Sequence, residues 1–365
     1  MNLRTYRLIL AGGGTMGSVT PLLAVALEFK KTVSDCQFLW LGTKNGPEKK
    51  LVEKYSIIFK SIPAGKLRRY FSFWNFIDPF FVVAGFLKSL WMIFKFKPHF
   101  ILSAGGFVAV PVIWAGRLLG VPSLVHQQDV RPGLTNKLTA PFAKIVTVVF
   151  PESLKYFPKA IVVGNPIRQE IFSGQKERAF EFFNLEKDLP TILVLGGGTG
   201  ALKLNRVVVK AAADLVKFCQ VIHVTGGRLD EQSKLAVEKV QKESPRYHLF
   251  EFLVEPLKDA YVVSDLVISR AGMGTLTELA VLGKPTILVP MPKTHQEANA
   301  WYFKKRSAVY ILDQEKLTSA DLVTAVKELI NNKIERENLS RNIKEIIPTD
   351  AAQKMVKEIL KVIQK

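Results

Sequence analysis

The sequence predicts an α/β protein built from two Rossmann-like domains. Three observations carry that prediction. Short apolar runs alternate with longer helical stretches along the chain, the pattern of parallel strands joined by crossover helices. A glycine-rich signature occurs twice after such a run, as AGGGT at 11–15 and LGGGT at 195–199. The 365 residues suffice for two α/β domains, each with its own core.

Taken in order, Arg7 to Ala11 reads as the first strand. Gly12 to Gly17 form a turn, and a helix begins near Pro21, where a missing N–H costs nothing. Phe38 to Leu41 is the second strand. Phe100 to Ser103 leads into Ala104-Gly105-Gly106 and a helix through Pro111 and Trp114. Ser123 to His126 ends in Gln127-Gln128-Asp129, and Ile145 to Phe150 and Ala160 to Val163 are short β runs. Residues 165–190, polar and charged after Pro166, form the connector. The second half repeats the scheme with Thr191 to Leu195, Gln220 to Thr225, His248 to Phe252, Leu266 to Ser269 and Thr286 to Val289. After Pro348 comes a lone amphipathic helix that Asp350 is placed to cap. The expected domains are 1–165 and 166–345, followed by the helical tail 346–365.

The stretch LVISRAGMGTLTE, 266–278, is the most informative. A buried strand feeds a tight turn with Gly272 and Gly274, and Thr275 is expected to open a helix. The first N–H groups of a helix lack internal partners and its dipole favours anions, so a phosphate fits there. Glu278, one turn inside, is an acceptor suited to ribose hydroxyls. The competing reading is a plain capping box, since Thr275 and Glu278 have that spacing. A dinucleotide is excluded by the neighbouring strands. A nicotinamide site needs a carboxylate at the end of the next strand. Those strands end Trp40-Leu41-Gly42-Thr43 and Val224-Thr225-Gly226-Gly227.

The net charge of +19 is uneven. Residues 1–165 hold 21 Lys and Arg against 7 Asp and Glu, so this half faces a polyanion. Residues 66–97 interleave Lys66, Arg68, Arg69, Lys88, Lys95 and Lys97 with many aromatic rings, Asp78 being the only acid. Rings settle at lipid headgroups and cations attract anionic lipid. Nucleic acid is the competing polyanion, because aromatics also stack on bases. The adjoining aliphatic run favours lipid. A helix over 80–96 should bury Phe80, Ala84, Leu87, Trp91 and Phe94, leaving Val82, Phe86 and Ile93 on other faces as an exposed patch. No run reaches the roughly 20 uninterrupted apolar residues of a spanning helix, and no signal peptide is expected. Cys36 and Cys219 form no CxxC pair, which fits a reducing cytosol and argues against a metal site.

With these motifs in hand, the chain resembles the MurG family over nearly its whole length. These enzymes are UDP-N-acetylglucosamine:undecaprenyl-pyrophosphoryl-muramoyl-pentapeptide N-acetylglucosaminyltransferases. The resemblance rests on GGTMGSVTP (13–21), SAGGFVAVP (103–111), HQQDVRPGLTNK (126–137), VVGNPIR (162–168), GGGTGA (196–201), SRAGMGTLTE (269–278) and HQEANA (295–300). It implies the two-domain glycosyltransferase architecture called GT-B, with a cleft between domains and a C-terminal helix returning to the first. It also implies a role in peptidoglycan synthesis, as a peripheral enzyme on the cytoplasmic face of the plasma membrane, with no nucleic-acid partner.

By that resemblance, Val254 flanks the uracil of the donor, and Met273, Gly274, Thr275, Leu276 and Thr277 surround the nucleotide. Glu278 takes the ribose, Gln296 meets the sugar, and Arg168 reaches the diphosphate. Gly198 stands where the family often has Ser. Thr15, Met16 and Gly17, with Gly105 and Gly106, receive the acceptor pyrophosphate or close over the sugar. The implied reaction is inverting, with the 4-hydroxyl of the acceptor's MurNAc attacking the anomeric carbon. No DxD-like carboxylate pair lies in a glycine-rich loop, so a metal-independent route without cofactor is expected. The family commonly has His where this chain has Ser18, and Asn where it has Asp129. Asp129 is therefore expected to take the acceptor's proton, with Ser18 relaying or positioning it and His126 in reserve. The alternatives are a diacylglycerol-type glycolipid glycosyltransferase, a UDP-sugar epimerase, and a binding module that kept a nucleotide fold.

Overall fold

The computed structural model describes residues 5–65, 74–197 and 200–364. The chain forms two compact units, residues 1–168 with 348–365, and residues 169–347.

The first unit is built on a seven-stranded parallel sheet of order β3-β2-β1-β4-β5-β6-β7. Its strands are β1 (Tyr6–Ala11), β2 (Cys36–Gly42), β3 (Ile58–Ser61), β4 (Phe100–Ser103), β5 (Ser123–Gln127), β6 (Ile145–Val148) and β7 (Ile161–Val162). The second has six strands, β8 (Thr191–Leu195), β9 (Gln220–Val224), β10 (Tyr247–Phe250), β11 (Leu266–Ser269), β12 (Thr286–Leu288) and β13 (Tyr310–Ile311), in order β10-β9-β8-β11-β12-β13. In each sheet the chain runs outward from the glycine-bearing strand, then crosses to its other side. That reversal falls between β1 and β4 and between β8 and β11, the points where open parallel sheets hold ligands at their carboxyl edge. The central strands are fully buried on both faces, as covering helices require. The sequence pattern missed the edge strands β3, whose apolar run breaks at Lys60, and β13, only two residues long within the apolar run 308–312.

The terminal helix Ala351–Ile363 packs in the first unit against the helix Thr20–Thr32. Met355, Val356, Ile359 and Ile363 join Leu22, Leu23 and Phe29 in one core. Asp350 occupies the N-cap position, but its side chain makes no capping bond. It pairs instead with Lys354 at 2.9 Å.

The helix Trp74–Phe96 corrects the sequence expectation of which face is buried. Residues Ile77–Phe96 are long and apolar enough to cross a membrane by length and composition. The face expected to be buried points outward: Phe80 is 75% exposed, Leu87 60%, Trp91 58% and Phe94 71%. The packed face instead carries Gly85, Ser89, Met92 and Ile93. Close approach decides this. A Cβ on Gly85 would come within 2.1 Å of the Pro63 carbonyl oxygen, so only glycine lets the helix lie there. Ser89 returns its hydroxyl to the Gly85 carbonyl at 2.6 Å, so a polar residue is buried at little cost. Lys66, Arg68, Arg69, Tyr70, Phe71 and Phe73 lie outside the described residues, as do the side chains of Trp74 and Phe76.

Candidate active site

In the second unit, β11 delivers the chain to Arg270-Ala271-Gly272 and the helix Met273–Leu282. This helix starts two residues earlier than the sequence suggested. Gly272 is its N-cap, and no side chain caps it, so the capping box is not formed. Cβ atoms placed on Gly272 or Gly274 would meet nothing within 4 Å. The amino end of the helix thus faces open space with its first N–H groups unclaimed by the helix. The Met273, Leu276 and Thr277 side chains are buried, and Thr277 donates its hydroxyl to the Met273 carbonyl at 2.7 Å. A ligand here meets backbone, the condition for binding phosphate.

Glu278 is half-buried, and the fully buried Tyr261 donates its hydroxyl to Glu278 Oε2 at 2.7 Å. Burial first, and the Glu278 carboxylate second, push the Tyr261 pKa well up, so it stays a donor. Gln296 accepts the Met291 N–H on Oε1 at 2.9 Å. Asn299 is buried and donates to the Ala271 carbonyl at 3.1 Å, tying its helix to the glycine turn. Val254 is 70% exposed on the segment after β10. Near it, sequence reasoning missed Phe252, an exposed ring within 3.3 Å of a Cβ built on Gly227. Gly198 lies outside the described residues.

In the first unit, the predicted residues follow the carboxyl ends of three adjacent strands. Thr15 to Ser18 follow β1, Gly105 and Gly106 follow β4, and Asp129 follows β5. Gly105 and Gly106 have φ of 96° and 83°, values that favour glycine. A Cβ on Gly106 would lie 2.8 Å from the Gly13 carbonyl and 3.1 Å from Ser18 Oγ, so the two turns touch. Gln128 locks them together, its amide nitrogen donating to the Gly17 and Ala104 carbonyls at 2.9 Å each. Gln127 donates to the Asp129 carbonyl at 2.7 Å and fixes that backbone. Ser18 Oγ lies 3.4 Å from the Gly13 carbonyl and 3.3 Å from the Thr15 carbonyl; its hydroxyl serves the turn and makes no bond to Asp129.

Glu48 also escaped the sequence analysis. Buried, it accepts the Thr43 N–H at 2.7 Å, the Thr43 hydroxyl at 2.6 Å and the Gly14 N–H at 3.3 Å. It thereby anchors the glycine turn after β1. Arg168 donates to the Tyr55 hydroxyl at 3.0 Å.

His126 is fully buried and structural. Asn165 Oδ1, 3.0 Å from Nε2, can only accept, so Nε2 carries the proton and Nδ1 accepts from Thr147 at 2.9 Å. Burial draws its pKa down to about 4. His223 in the second unit is held between Tyr247 and Asn205, and burial draws it to about 3. Both are neutral when folded but take a proton near pH 6.5 when unfolded. Their contribution to stability is therefore complete above pH 6.5. It is lost as the pH falls towards 4 for His126 and 3 for His223, at about 1.4 kcal/mol per pH unit for each. Urea unfolding between pH 7 and 5 should show this slope. His126→Gln should remove its share, and an unchanged slope in that variant would contradict the assignment.

Residues 8–148 match the family model for the glycosyltransferase family 28 N-terminal domain, and residues 191–359 that for the family 28 C-terminal domain. With two parallel-sheet units whose carboxyl edges bear glycine turns, this defines a glycosyltransferase of the GT-B architecture. A UDP-N-acetylglucosamine–N-acetylmuramyl-(pentapeptide) pyrophosphoryl-undecaprenol N-acetylglucosamine transferase of Clostridium perfringens is 38% identical, covering 91% of this chain and 92% of its own. A protein of the same name from Clostridium novyi is 36% identical, over 99% and 98%. The crystal structure of Acinetobacter baumannii MurG superposes with a TM-score of 0.73 at 26% identity, covering 98% of this chain and 99% of that one. The chain belongs to the MurG family. A UDP-N-acetylglucosamine 2-epimerase from Neisseria meningitidis gives a TM-score of 0.72 over 98% of this chain and 100% of its own, but at 14% identity it shares the fold alone.

Proposed function

We propose that this protein transfers N-acetylglucosamine from UDP-N-acetylglucosamine to the 4-hydroxyl of MurNAc in undecaprenyl-linked lipid I, giving lipid II of peptidoglycan synthesis. The observation that carries the donor half is the open, uncapped amino end of the helix Met273–Leu282, with Glu278 one turn inside and held by Tyr261. The diphosphate lies on the helix amino end, the ribose on Glu278, the uracil by Val254 and the sugar by Gln296. The relatives' shared name supports the acceptor.

In the reaction, the MurNAc O4 attacks the anomeric carbon from the face opposite the diphosphate. The new C–O bond forms as the C1–O bond to the diphosphate breaks, and UDP leaves with that electron pair. The O4 proton passes to the Asp129 carboxylate. Ser18 positions the turn after β1, in keeping with its bonds to the carbonyls of that turn. Incubation with radiolabelled UDP-N-acetylglucosamine should label lipid I and leave diacylglycerol unlabelled; the reverse would favour a glycolipid glycosyltransferase.

The protein binds the cytoplasmic face of the membrane through the helix Trp74–Phe96. One side of this helix is committed to its own domain, so it lies in the plane of the interface rather than spanning it. The other side presents Phe80, Val83, Leu87, Trp91 and Phe94, with Lys88, Lys95 and Lys97 beside them. Lys95 sits 5.2 Å over the Trp91 ring. Burying one such side chain is worth roughly 1.5–3 kcal/mol at most. Replacing Leu87, Trp91 and Phe94 together with Gln should lower sedimentation with phosphatidylglycerol vesicles at least ~tenfold by the same measure. Undiminished sedimentation would discard this surface.

A further inference from the structure

Arg270 is 6% exposed, yet its charge has no counter-ion among the described residues. Nη1 donates to the Val289 carbonyl at 2.7 Å and Nη2 donates to Gln314 Oε1, both neutral acceptors. Nε is buried and has no partner. Burial alone lowers the guanidinium pKa to about 10, with no carboxylate acting against it. The group remains a cation at neutral pH.

Its position makes this more costly. Arg270 stands two residues before Gly272, the N-cap of the helix whose positive dipole end is open. Two sources of the same sign thus belong to the one turn after β11. A buried ion without compensation is destabilising. The hydrogen bonds to Val289 and Gln314 need only a neutral donor such as an amide. What the fold retains beyond those bonds is the charge. The acceptors also locate it: Val289 follows β12 and Gln314 follows β13, so the guanidinium lies along the carboxyl edge of the sheet.

We propose that Arg270 is held uncompensated so that the donor's diphosphate supplies its missing counter-charge, giving a fixed positive potential where UDP departs. This rests on the donor reading above and adds a residue to it. Arg270 acts through the field and through the turn it braces, so it is a positioning and charge-supplying residue. A charge already in place needs no reorganisation as the leaving group gains negative charge.

The test neutralises the charge without removing the residue. In Gln314→Glu, a carboxylate replaces the amide oxygen that receives Nη2, and every other bond of Arg270 is kept. Calorimetry with UDP and with uridine should show UDP binding weakened roughly tenfold to a hundredfold, with uridine unchanged within about twofold. Arg270→Gln should behave alike, and Arg270→Lys should recover most of the preference for UDP. An unchanged UDP-to-uridine ratio in Gln314→Glu and Arg270→Gln would overturn the proposal, leaving Arg270 a brace only. So would equal losses in the Lys and Gln variants. A wild-type protein that did not prefer UDP to uridine would overturn it together with the donor site.

Discussion

Asp129→Asn is expected to lower the turnover number by about two to four orders of magnitude, the usual worth of a positioned general base. The substitution keeps the shape of the side chain and removes its ability to take a proton. It should not disturb the backbone, because the Asp129 carbonyl that accepts from Gln127 is untouched. The KM for UDP-N-acetylglucosamine should stay within about twofold, since the proposed donor contacts lie on the second unit and a lost transition-state interaction lowers kcat alone. Ser18→Ala should cost far less, below about tenfold. Its hydroxyl is engaged with the Gly13 and Thr15 carbonyls, and a turn already held by Glu48 and Gln128 keeps its form. Formate should restore part of the activity of Asp129→Ala by standing in for the missing carboxylate. Near-wild-type turnover in Asp129→Asn would remove Asp129 from the chemistry.

What the sequence revealed, and what it hid, follows from which forces leave a local trace. β4, β8 and β11 were legible to the residue because strands covered on both faces must be continuously apolar. The glycine turns were legible because close backbone approach excludes side chains. The helix start at Met273 was not, since its cap is Gly272 and leaves no side-chain signature. The buried face of the helix Trp74–Phe96 was misassigned for a related reason. Apolar periodicity assumes that the greasiest face turns inward, whereas this helix packs through Gly85 and Ser89 and shows its rings to the outside. Glu48 drew no notice in the sequence, and Arg270 entered it only as part of the SRAGMGTLTE motif. Their burial, and the absence of a counter-ion for Arg270 among the described residues, are tertiary facts with no counterpart in spacing. The stretch 273–278, proposed to hold the donor, stands out as a motif, but Tyr261, which holds Glu278, lies 17 residues away on another helix.

Glu278→Ala is expected to weaken UDP binding by roughly tenfold to a hundredfold, the worth of one or two hydrogen bonds to a charged acceptor. Alanine also orphans the buried Tyr261 hydroxyl, a loss of about 1–3 kcal/mol in stability that could be mistaken for a ligand effect. Glu278→Gln separates the two. Its amide oxygen still accepts from Tyr261, so the fold is spared while the charge is lost. Tyr261→Phe does the converse, keeping the carboxylate and releasing its orientation. Its UDP affinity should fall only about threefold to tenfold, because the freed carboxylate can still reach the ribose at an entropic cost. The ligand supplies the decisive control. With 2′,3′-dideoxyuridine diphosphate, no ribose hydroxyl is present for Glu278 to accept. Wild type, Glu278→Gln and Tyr261→Phe should then bind with equal strength. If the variants stay weaker than wild type towards the dideoxy ligand, Glu278 serves the shape of the helix end. If Glu278→Gln binds UDP as tightly as wild type does, the nucleotide does not lie on this helix.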